Sequence, residues 1–220
     1  MDDAHIVSDI HLFNSISNSQ KFLNFLHYSE DRTHKIIVNG DLFDNTNFQK
    51  ATANDWKIID KLKDLANKKK IIYIKGNHDP SEIAEIDLQI SQLDFYILKS
   101  GKKNIFCTHG DQFDQIIQNN PIVAKFSEKI NELFYHCRLN SVIKPIKTRI
   151  LTKLQLKHAQ KALDFCEEIN YNTICVGHTH LPSIITRKDS TYVNSGSWTE
   201  RQNSFISVKN GSIFLHDNLF

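Results

Sequence analysis

Carboxylate, amide and imidazole side chains recur in five short clusters along this sequence, each directly after an apolar, strand-like run. The clusters are Asp9/His11, Asp41, Asn77/His78, His109 and His178/His180. These ligand types suit Mn²⁺, Fe²⁺, Zn²⁺, Co²⁺ or Ni²⁺, and no thiolate accompanies them. One such cluster alone is usually a turn or a surface histidine. Five clusters at the ends of buried strands favour a shared metal centre.

Asp41 is the candidate bridging ligand of this centre. It follows the β-branched run Ile36-Ile37-Val38 and an Asn-Gly pair, a context that by itself predicts only a turn. A carboxylate can bridge two cations, and this ligand set with one shared carboxylate suits two metal ions roughly 3.5–4 Å apart. Such a pair lowers the pKa of a bound water and holds the oxygens of a phosphoryl group. His78, next to Asn77, can instead face the substrate and stabilise or protonate the leaving oxygen.

Alternating strands and helices must bring these clusters together. Strands are predicted over residues 5–8, 35–39, 71–74, 104–108 and 172–176, and helices over 17–30 and 54–66, with a weaker helix over 83–93. Trp56 is predicted to lie in the core. Strand–helix alternation predicts right-handed crossovers and a parallel α/β sheet. The ends of its strands would lie on one edge, where the clusters converge.

The remaining sequence predicts an insertion and an antiparallel end. Residues 113–169 lack strand signals and read as helices interrupted near Asn140 and Pro145. Short apolar runs over 184–186, 191–194, 205–208 and 213–216 predict strands, and Asn210-Gly211 between the last two predicts a hairpin. At 220 residues, one domain over 1–220 with a helical insertion at about 113–169 is the expected organisation.

Composition describes an ordinary globular chain, with 40% apolar and 24% charged residues, which excludes a fibrous or low-complexity protein. No apolar run approaches the ~20 residues that span a bilayer. The acidic first three residues lack the layout of a signal peptide, so a cytoplasmic location is expected. The cysteines, Cys107, Cys137, Cys166 and Cys175, form no CxxC pair. Free, buried thiols in a reducing compartment are therefore expected.

The ordered motifs of the chain resemble those of the calcineurin-like metallophosphoesterases. They are Asp9-x-His11, Gly40-Asp41-x-x-Asp44, Gly76-Asn77-His78-Asp79, His109-Gly110-Asp111 and Gly177-His178-Thr179-His180. The resemblance implies a four-layer α/β/β/α sandwich. It also implies one metal ion held by Asp9, His11, Asp41 and His180, and a second held by Asp41, Asn77, His109 and His178. His78 would be catalytic beside the leaving group, and Asp79 and Asp111 would orient histidines. The complete ligand set argues against a metal-free scaffold.

Within that family the chain is more similar to the UDP-2,3-diacylglucosamine diphosphatases and their relatives. The resemblance rests on Asp44, on the helical insertion, and on segment 194–200, where Trp198 and Glu200 either line the site or cap a strand. Members of that branch cleave the pyrophosphate of a lipid A precursor at the inner membrane surface and release UMP. The best-studied type carries arginine where His78 stands here, so this chain is more similar to that type's relatives.

The insertion is strongly basic. Between Pro121 and Lys161 stand nine basic residues, namely Lys125, Lys129, Arg138, Lys144, Lys147, Arg149, Lys153, Lys157 and Lys161, against Glu128 and Glu132. Its charge of +7 exceeds the +2 of the whole chain. Helical spacing of its apolar residues indicates amphipathic helices that cap a phospholipid-like substrate, with Lys147, Arg149 and Lys153 as candidate contacts, or lie on an anionic membrane. A solvated basic face is the plain alternative.

Three functions stay open at this stage. The first is a pyrophosphohydrolase for UDP-2,3-diacylglucosamine, peripheral at the inner membrane, with two transition-metal ions, of which Mn²⁺ is the expected one. The second is a soluble phosphodiesterase or phosphatase for nucleotides, nucleic acid or phosphoproteins. Few aromatic residues interleave with the basic ones, and no known nucleic-acid motif is present. The third is a scaffold without metal.

Overall fold

The computed structural model describes residues 1–44, 50–80, 88, 90–114, 140–199 and 202–220, with the backbone alone for 140–150. The strands are β1 (Asp2–Val7), β2 (Thr33–Asn39), β3 (Ile71–Ile74), β4 (Gln92–Leu93), β5 (Tyr96–Ser100), β6 (Lys103–Cys107), β7 (Thr173–Val176), β8 (Ser183–Arg187), β9 (Ser190–Asn194), β10 (Ser204–Lys209) and β11 (Ser212–Asp217). The helices are α1 (Ser19–Glu30), α2 (Ala53–Asn67) and α3 (Asn140–Glu168), and a 3-10 turn covers Asp111–Phe113.

The strands form two sheets. The first has the order β11-β10-β1-β2-β3-β4, in which β1 to β4 are parallel and β10 runs antiparallel to β1. The second has the order β5-β6-β7-β9-β8, in which β6, β7 and β9 are parallel and the two edge strands are antiparallel. The carboxyl ends of β1, β2 and β3 therefore lie on one edge of the first sheet, and those of β6 and β7 on one edge of the second.

Apolar side chains on the inner faces join the two sheets. Ile6, Ile37 and Ile74 of the first sheet pack with Ile105 and Val193 of the second in one buried cluster. Because parallel strands with both faces covered are buried throughout, their sequences read as continuous apolar runs. A second cluster packs α1 and α2 on the outer face of the first sheet, and a third packs α3 on the outer face of the second. The predicted four-layer α/β/β/α sandwich is confirmed.

The two outer helices of the first sheet lie close to their predicted positions. Helix α2 begins with a capping box, in which Thr52 accepts from the backbone N–H of Asp55 while the Asp55 carboxylate accepts from the N–H of Thr52. Trp56 in the first turn of this helix is 44% exposed, so its predicted place in the core is wrong. The spacing that suggested burial belongs to Ile59, Leu62 and Leu65, which are buried.

Three other sequence predictions need correction. The single parallel sheet that strand–helix alternation predicts is two sheets, as the family resemblance implied, because β6 and β7 pair with each other and with none of the described strands of the first sheet. Strand β5 was missed, and β4 occupies the end of the expected helix over 83–93, most of which lies outside the described residues. Helix α3 continues through Pro145, although a proline at this position removes one backbone hydrogen bond and its ring crowds the preceding turn.

Residues 115–139 of the basic insertion, Cys137 among them, lie outside the described residues. The other three cysteines are free and buried, as expected. Among the helices that the structure describes, none has the length and hydropathy to cross a bilayer.

Candidate metal centre

All five predicted clusters lie at the adjoining carboxyl edges of the two sheets. The loops after β1, β2 and β3 carry Asp9 and His11, Asp41, and Asn77 and His78; the loops after β6 and β7 carry His109, and His178 and His180. The first sheet thus supplies both carboxylates, the amide and one imidazole ligand, while the second sheet supplies three imidazoles. The structure brings all seven predicted metal ligands to one place.

The first predicted ligand set surrounds a small space between the loops after β1 and β7. Nε2 of His180 lies 3.1 Å from Oδ1 of Asp9 and 3.4 Å from Nε2 of His11. The same His11 nitrogen lies 3.8 Å from Oδ2 of Asp41 and 4.0 Å from Oδ1 of Asp9. Four potential ligand atoms therefore face one another at distances that a shared cation would bridge.

The second predicted set continues from the same oxygen of Asp41. Nε2 of His109 lies 3.3 Å from Oδ2 of Asp41 and 3.2 Å from Oδ1 of Asn77. The Asn77 oxygen in turn lies 3.1 Å from Nδ1 of His178. Nδ1 of His109 donates to the carbonyl of Asn39 at 3.0 Å, which leaves Nε2 to face the site. Oδ2 of Asp41 is thus the atom common to both sets.

Asp9 and Asp41 each use one carboxylate oxygen to accept a backbone hydrogen bond and turn the other oxygen towards the candidate metal site. Oδ2 of Asp9 accepts from the backbone N–H of His178 at 3.0 Å, and Oδ1 of Asp41 accepts from the N–H of His78 at 2.9 Å. The other oxygen of each faces the histidines. Oδ1 of Asp9 is buried and accepts no hydrogen bond among the described residues. A buried carboxylate oxygen is costly when unsatisfied, and a cation at this place would satisfy it.

The backbone is strained at these positions. Five of the seven predicted ligands have positive φ values: 55° at Asp9, 50° at His11, 53° at Asp41, 64° at His178 and 57° at His180. The left-handed region costs a residue with a side chain about 1–3 kcal/mol when the conformation is sparsely populated. Such strain persists where surrounding contacts hold it in place, and its concentration here marks the loops as a functional site.

Two glycines allow the loops to interlock. A Cβ on Gly76 would lie 2.2 Å from Oδ1 of Asp41, and one on Gly177 would lie 2.5 Å from Oδ2 of Asp9. Each glycine therefore gives room to a carboxylate that comes from another strand. This close approach explains why both motifs place glycine directly before their ligands.

The electrostatic field of the centre favours positive charge. Burial works against a charged imidazole, but the hydrogen bond and charge of Asp41 raise the pKa of His109 to about 10. In the same way Asp9 raises the pKa of His180 against the effect of burial. The two carboxylates thus attract protons onto the histidines in the absence of other cations. A divalent cation would take the place of those protons, so the residues fit a metal site.

Asp44 joins His78 to the metal ligand His11. Its Oδ1 lies 3.2 Å from Nδ1 of His11 and 3.4 Å from Nδ1 of His78, and its Oδ2 accepts from Asn14 at 2.7 Å. The hydrogen bond to Asp44 raises the pKa of His78 to about 9 although partial burial opposes this. The His78 side chain is 40% exposed, so a substrate can reach it. Asp44 therefore orients one ligand and holds a proton on its neighbour.

Two predicted contributors, Asp79 and Trp198, are placed differently from expectation. Asp79 contacts backbone rather than histidine: its carboxylate accepts from the N–H groups of Asp41 and Gly76 at 2.8 Å and of Phe43 at 3.0 Å. Asp111 begins the 3-10 turn after the His109 motif. Trp198 is fully buried, and its ring packs on Phe22 and Phe25 in the core rather than lining the site. A large apolar ring gains more from that aromatic cluster than from a polar edge.

The basic candidates are only partly described. Lys153 is an exposed residue of α3. The side chains of Lys147 and Arg149, and the whole of Glu200, lie outside the described residues.

Two contacts at the site were missed by sequence reasoning. Oδ2 of Asp114 lies 3.4 Å from Nε2 of His178. Asp114 thus makes a contact with a histidine of the kind that was expected of Asp111. The sequence offers Asp111 and Asp114 three residues apart, with no signal to choose between them. His158 of α3 is buried against the same loops. It had no local signal, because a single histidine in an amphipathic helix is usually a surface or core residue.

Comparison with known proteins gives the family of this fold. A model of the calcineurin-like phosphoesterase superfamily domain matches residues 3–210. No curated protein matches the chain in sequence.

Solved structures match in fold at low identity. Yfce, a phosphoesterase from Escherichia coli, is 20% identical with a TM-score of 0.54, over 96% of this chain and 90% of that one. Wild-type Vps29 complexed with Zn²⁺ from Entamoeba histolytica is 14% identical with a TM-score of 0.51, over 97% of each chain. A conserved uncharacterized protein from Streptococcus pneumoniae TIGR4 is 15% identical with a TM-score of 0.52, over 98% and 88%.

Proposed function

Because the chain belongs to the calcineurin-like phosphoesterase superfamily, we propose that it cleaves a pyrophosphate bond with two divalent metal ions. As a member of that family it is a phosphoric ester hydrolase. The observation that supports a two-metal centre is the position of Oδ2 of Asp41, within 3.8 Å of Nε2 of His11 and 3.3 Å of Nε2 of His109. One oxygen thus stands between two sets of ligands.

In this proposal Asp9, His11, Asp41 and His180 hold one ion, and Asp41, Asn77, His109 and His178 hold the other. Divalent cations supply Lewis acidity, which lowers the pKa of a water and offsets charge on a phosphoryl group. Mn²⁺ is the proposed metal, and Zn²⁺, Fe²⁺, Co²⁺ or Ni²⁺ also suit these ligands. Wild-type Vps29 of similar fold is complexed with Zn²⁺.

The chain itself supplies the proton for the leaving group. Nδ1 of His78 faces Asp44, so Nε2 is the nitrogen that can reach a leaving oxygen. Asp44 keeps this imidazole protonated near neutral pH and fixes the direction of its ring. The Asp41 carboxylate accepts from the N–H of His78, which ties the proton donor to the bridging ligand.

The proposed substrate is UDP-2,3-diacylglucosamine, cleaved to UMP and 2,3-diacylglucosamine 1-phosphate. Support comes from the position of Asp44, from the long helix α3 between the second-sheet motifs, and from the basic sequence over 121–161. Lys153, exposed on α3, together with Lys147 and Arg149 would contact the acylated sugar phosphate or an anionic inner membrane surface.

A parallel assay of three substrates tests this proposal. Purified protein loaded with Mn²⁺ is given UDP-2,3-diacylglucosamine, bis-p-nitrophenyl phosphate and p-nitrophenyl phosphate, with Asp41→Asn as the inactive control. The proposal expects release of UMP at a kcat/KM well above that for either chromogenic ester. Hydrolysis of the chromogenic esters alone would favour a soluble phosphodiesterase or phosphatase. No bound metal by elemental analysis and no hydrolysis with added Mn²⁺ would favour a scaffold.

Charge variants test the basic helix. The triple variant Lys147→Gln, Arg149→Gln and Lys153→Gln is expected to lower kcat/KM for the lipid-linked substrate and spare bis-p-nitrophenyl phosphate. A matched triple variant of exposed lysines elsewhere, Lys57→Gln, Lys99→Gln and Lys102→Gln, changes the net charge equally and serves as the control. Equal losses in both triple variants, or on both substrates, would contradict the assignment of these residues.

A further inference from the structure

We infer that His158 of α3 is a positioning residue that fixes the two second-sheet ligand loops relative to each other. The inference deepens the proposed function and rests on its two-metal centre. His158 lies outside the ligand set and is separated by 48 residues from Gly110 in the first of these loops. Helix α3 carries its imidazole into the space between the loops after β6 and β7, where the side chain is 5% exposed.

The hydrogen bonds of His158 have one possible direction. Nε2 lies 2.8 Å from the carbonyl oxygen of Gly110, and a carbonyl can only accept, so Nε2 carries the hydrogen. Nδ1 of the neutral ring is then an acceptor, and it receives the hydroxyl hydrogen of Tyr192 at 3.2 Å. The ring is buried, and burial favours the neutral form that this arrangement requires.

Tyr192 extends the contact to the other loop. Its hydroxyl oxygen, having donated to His158, accepts from Nδ2 of Asn194 at 3.2 Å. The same amide nitrogen lies 2.6 Å from the carbonyl of Gly177 and 3.1 Å from the hydroxyl of Thr179. Gly177 and Thr179 flank the ligand His178. A single chain of hydrogen bonds therefore runs from the residue after His109 to the residues around His178.

The ring of His158 also fills the space that it occupies. It stacks on the ring of His178 with centroids 6.0 Å apart and planes at 29°, and it meets Phe113 edge-on at 5.8 Å. A Cβ on Gly110 would lie 3.3 Å from Cε1 of His158, so the turn fits closely against the ring. His158 thus limits both the turn that follows His109 and the plane of the His178 imidazole.

A merely structural histidine would have the same burial, so the test must separate positioning from stability. His158→Phe keeps the ring and removes both hydrogen bonds. His158→Gln keeps a donor that can reach the carbonyl of Gly110. Leu163→Ala is the matched control, because Leu163 is a buried residue of the same helix and carries no hydrogen-bonding group. Each variant is measured for thermal unfolding, Mn²⁺ affinity by competition with a chelator, and the EPR signal of exchange-coupled Mn²⁺ pairs.

The inference expects a specific pattern. His158→Phe lowers affinity for the second Mn²⁺ by about 10–100-fold, the usual range for partners of metal ligands, and the coupled EPR signal falls with it. His158→Gln recovers most of both. Leu163→Ala lowers the unfolding temperature and leaves the Mn²⁺ affinity of the folded protein unchanged. Tyr192→Phe, which removes only one donor, gives a smaller loss and provides the test if His158→Phe does not fold.

Two results would overturn the inference. One is a folded His158→Phe or Tyr192→Phe protein that binds two Mn²⁺ ions as tightly as the wild type. The other is a Leu163→Ala protein that loses as much affinity as His158→Phe, which would make the effect one of stability. A wild-type protein that binds Mn²⁺ pairs yet hydrolyses none of the three test substrates would refute the proposed function alone, because the affinity measurements do not depend on turnover.

Discussion

The two sheets support their shares of the metal centre by different means. Around the first-sheet ligands, buried carboxylates bind backbone: Asp79 accepts from Asp41, Gly76 and Phe43, and Asp41 accepts from His78. Around the second-sheet ligands, neutral side chains do most of this work: His158, Tyr192 and Asn194 connect the carbonyls of Gly110 and Gly177.

The difference predicts unequal sensitivity to mutation. A hydrogen bond to a charged group contributes about 1.5–3 kcal/mol, whereas a neutral one contributes about 0.5–1.5 kcal/mol. Neutralising one first-sheet carboxylate should therefore cost more than removing one member of the second-sheet chain. The following predictions test this ranking, in order of decreasing effect.

The largest loss is expected for Asp41→Asn. The substitution keeps the shape of the side chain but removes the charge of the atom common to both ligand sets. We expect kcat/KM to fall by more than about 100-fold, beyond the range for residues that only support ligands. Elemental analysis should find less than two bound metal ions per chain. Full metal content with full activity would show that Asp41 does not bridge.

The second-largest loss is expected for Asp79→Asn, although Asp79 has no contact with a ligand side chain among the described contacts. An amide group cannot accept from all three N–H groups that the carboxylate binds. The loop after β2 should therefore lose its place, with a fall of about 2–3 kcal/mol in the free energy of unfolding and a clear loss of Mn²⁺ affinity. Urea unfolding and chelator competition measure the two effects. Unchanged stability would contradict the idea that charged hydrogen bonds hold the first-sheet loops more strongly than neutral ones hold the second-sheet loops.

Asp44→Asn tests the proton on His78. A donor must be protonated, so activity is present below the pKa of His78 and is lost as pH rises through it. Asp44 raises that pKa to about 9, and without the carboxylate it should fall towards the ordinary value of about 6.5. The alkaline limb of kcat/KM against pH then moves to lower pH, with a loss of roughly 30-fold at pH 8. An unmoved limb would exclude His78 as the titrating donor.

The smallest effect is expected for Asp114→Asn. Its carboxylate lies 3.4 Å from Nε2 of His178, beside a loop that the neutral chain also holds. We expect a loss of about tenfold in affinity for the second metal ion, the lower end of the range for such partners. A loss as large as that of Asp79→Asn would mean that the second-sheet ligands also depend on a charged partner.

The residues that meet at the candidate centre were predictable from sequence, and most of the residues that support them were not. Asp41 and His109 each follow an apolar run within two residues, so a local pattern reveals them. The partners of His158 lie 48 and 34 residues away, on a turn and a strand that only the packing of α3 on the second sheet brings near it. Asp79 was noticed, but its role was mistaken because nothing local shows that its carboxylate binds three backbone N–H groups.

The fold, too, was predictable from sequence only in part. The parallel strands were recognised because burial on both faces makes them continuously apolar. Their division into two sheets came from the family resemblance alone, since the pairing partner of a strand depends on how the sheets dock. Trp198 illustrates the limit: its neighbours suggested the site, while its ring fills the core between Phe22 and Phe25.

The position of β1 has a consequence for synthesis of the protein. This strand lies between β2 and β10, and its partner residues in β10 are Ile206, Ser207 and Val208. The ribosome makes β10 long after β1, so one edge of β1 stays unpaired until β10 has been synthesised. Exposed strand edges are where nascent chains associate wrongly. One edge of β1 is therefore open to non-native pairing from its own synthesis until that of β10.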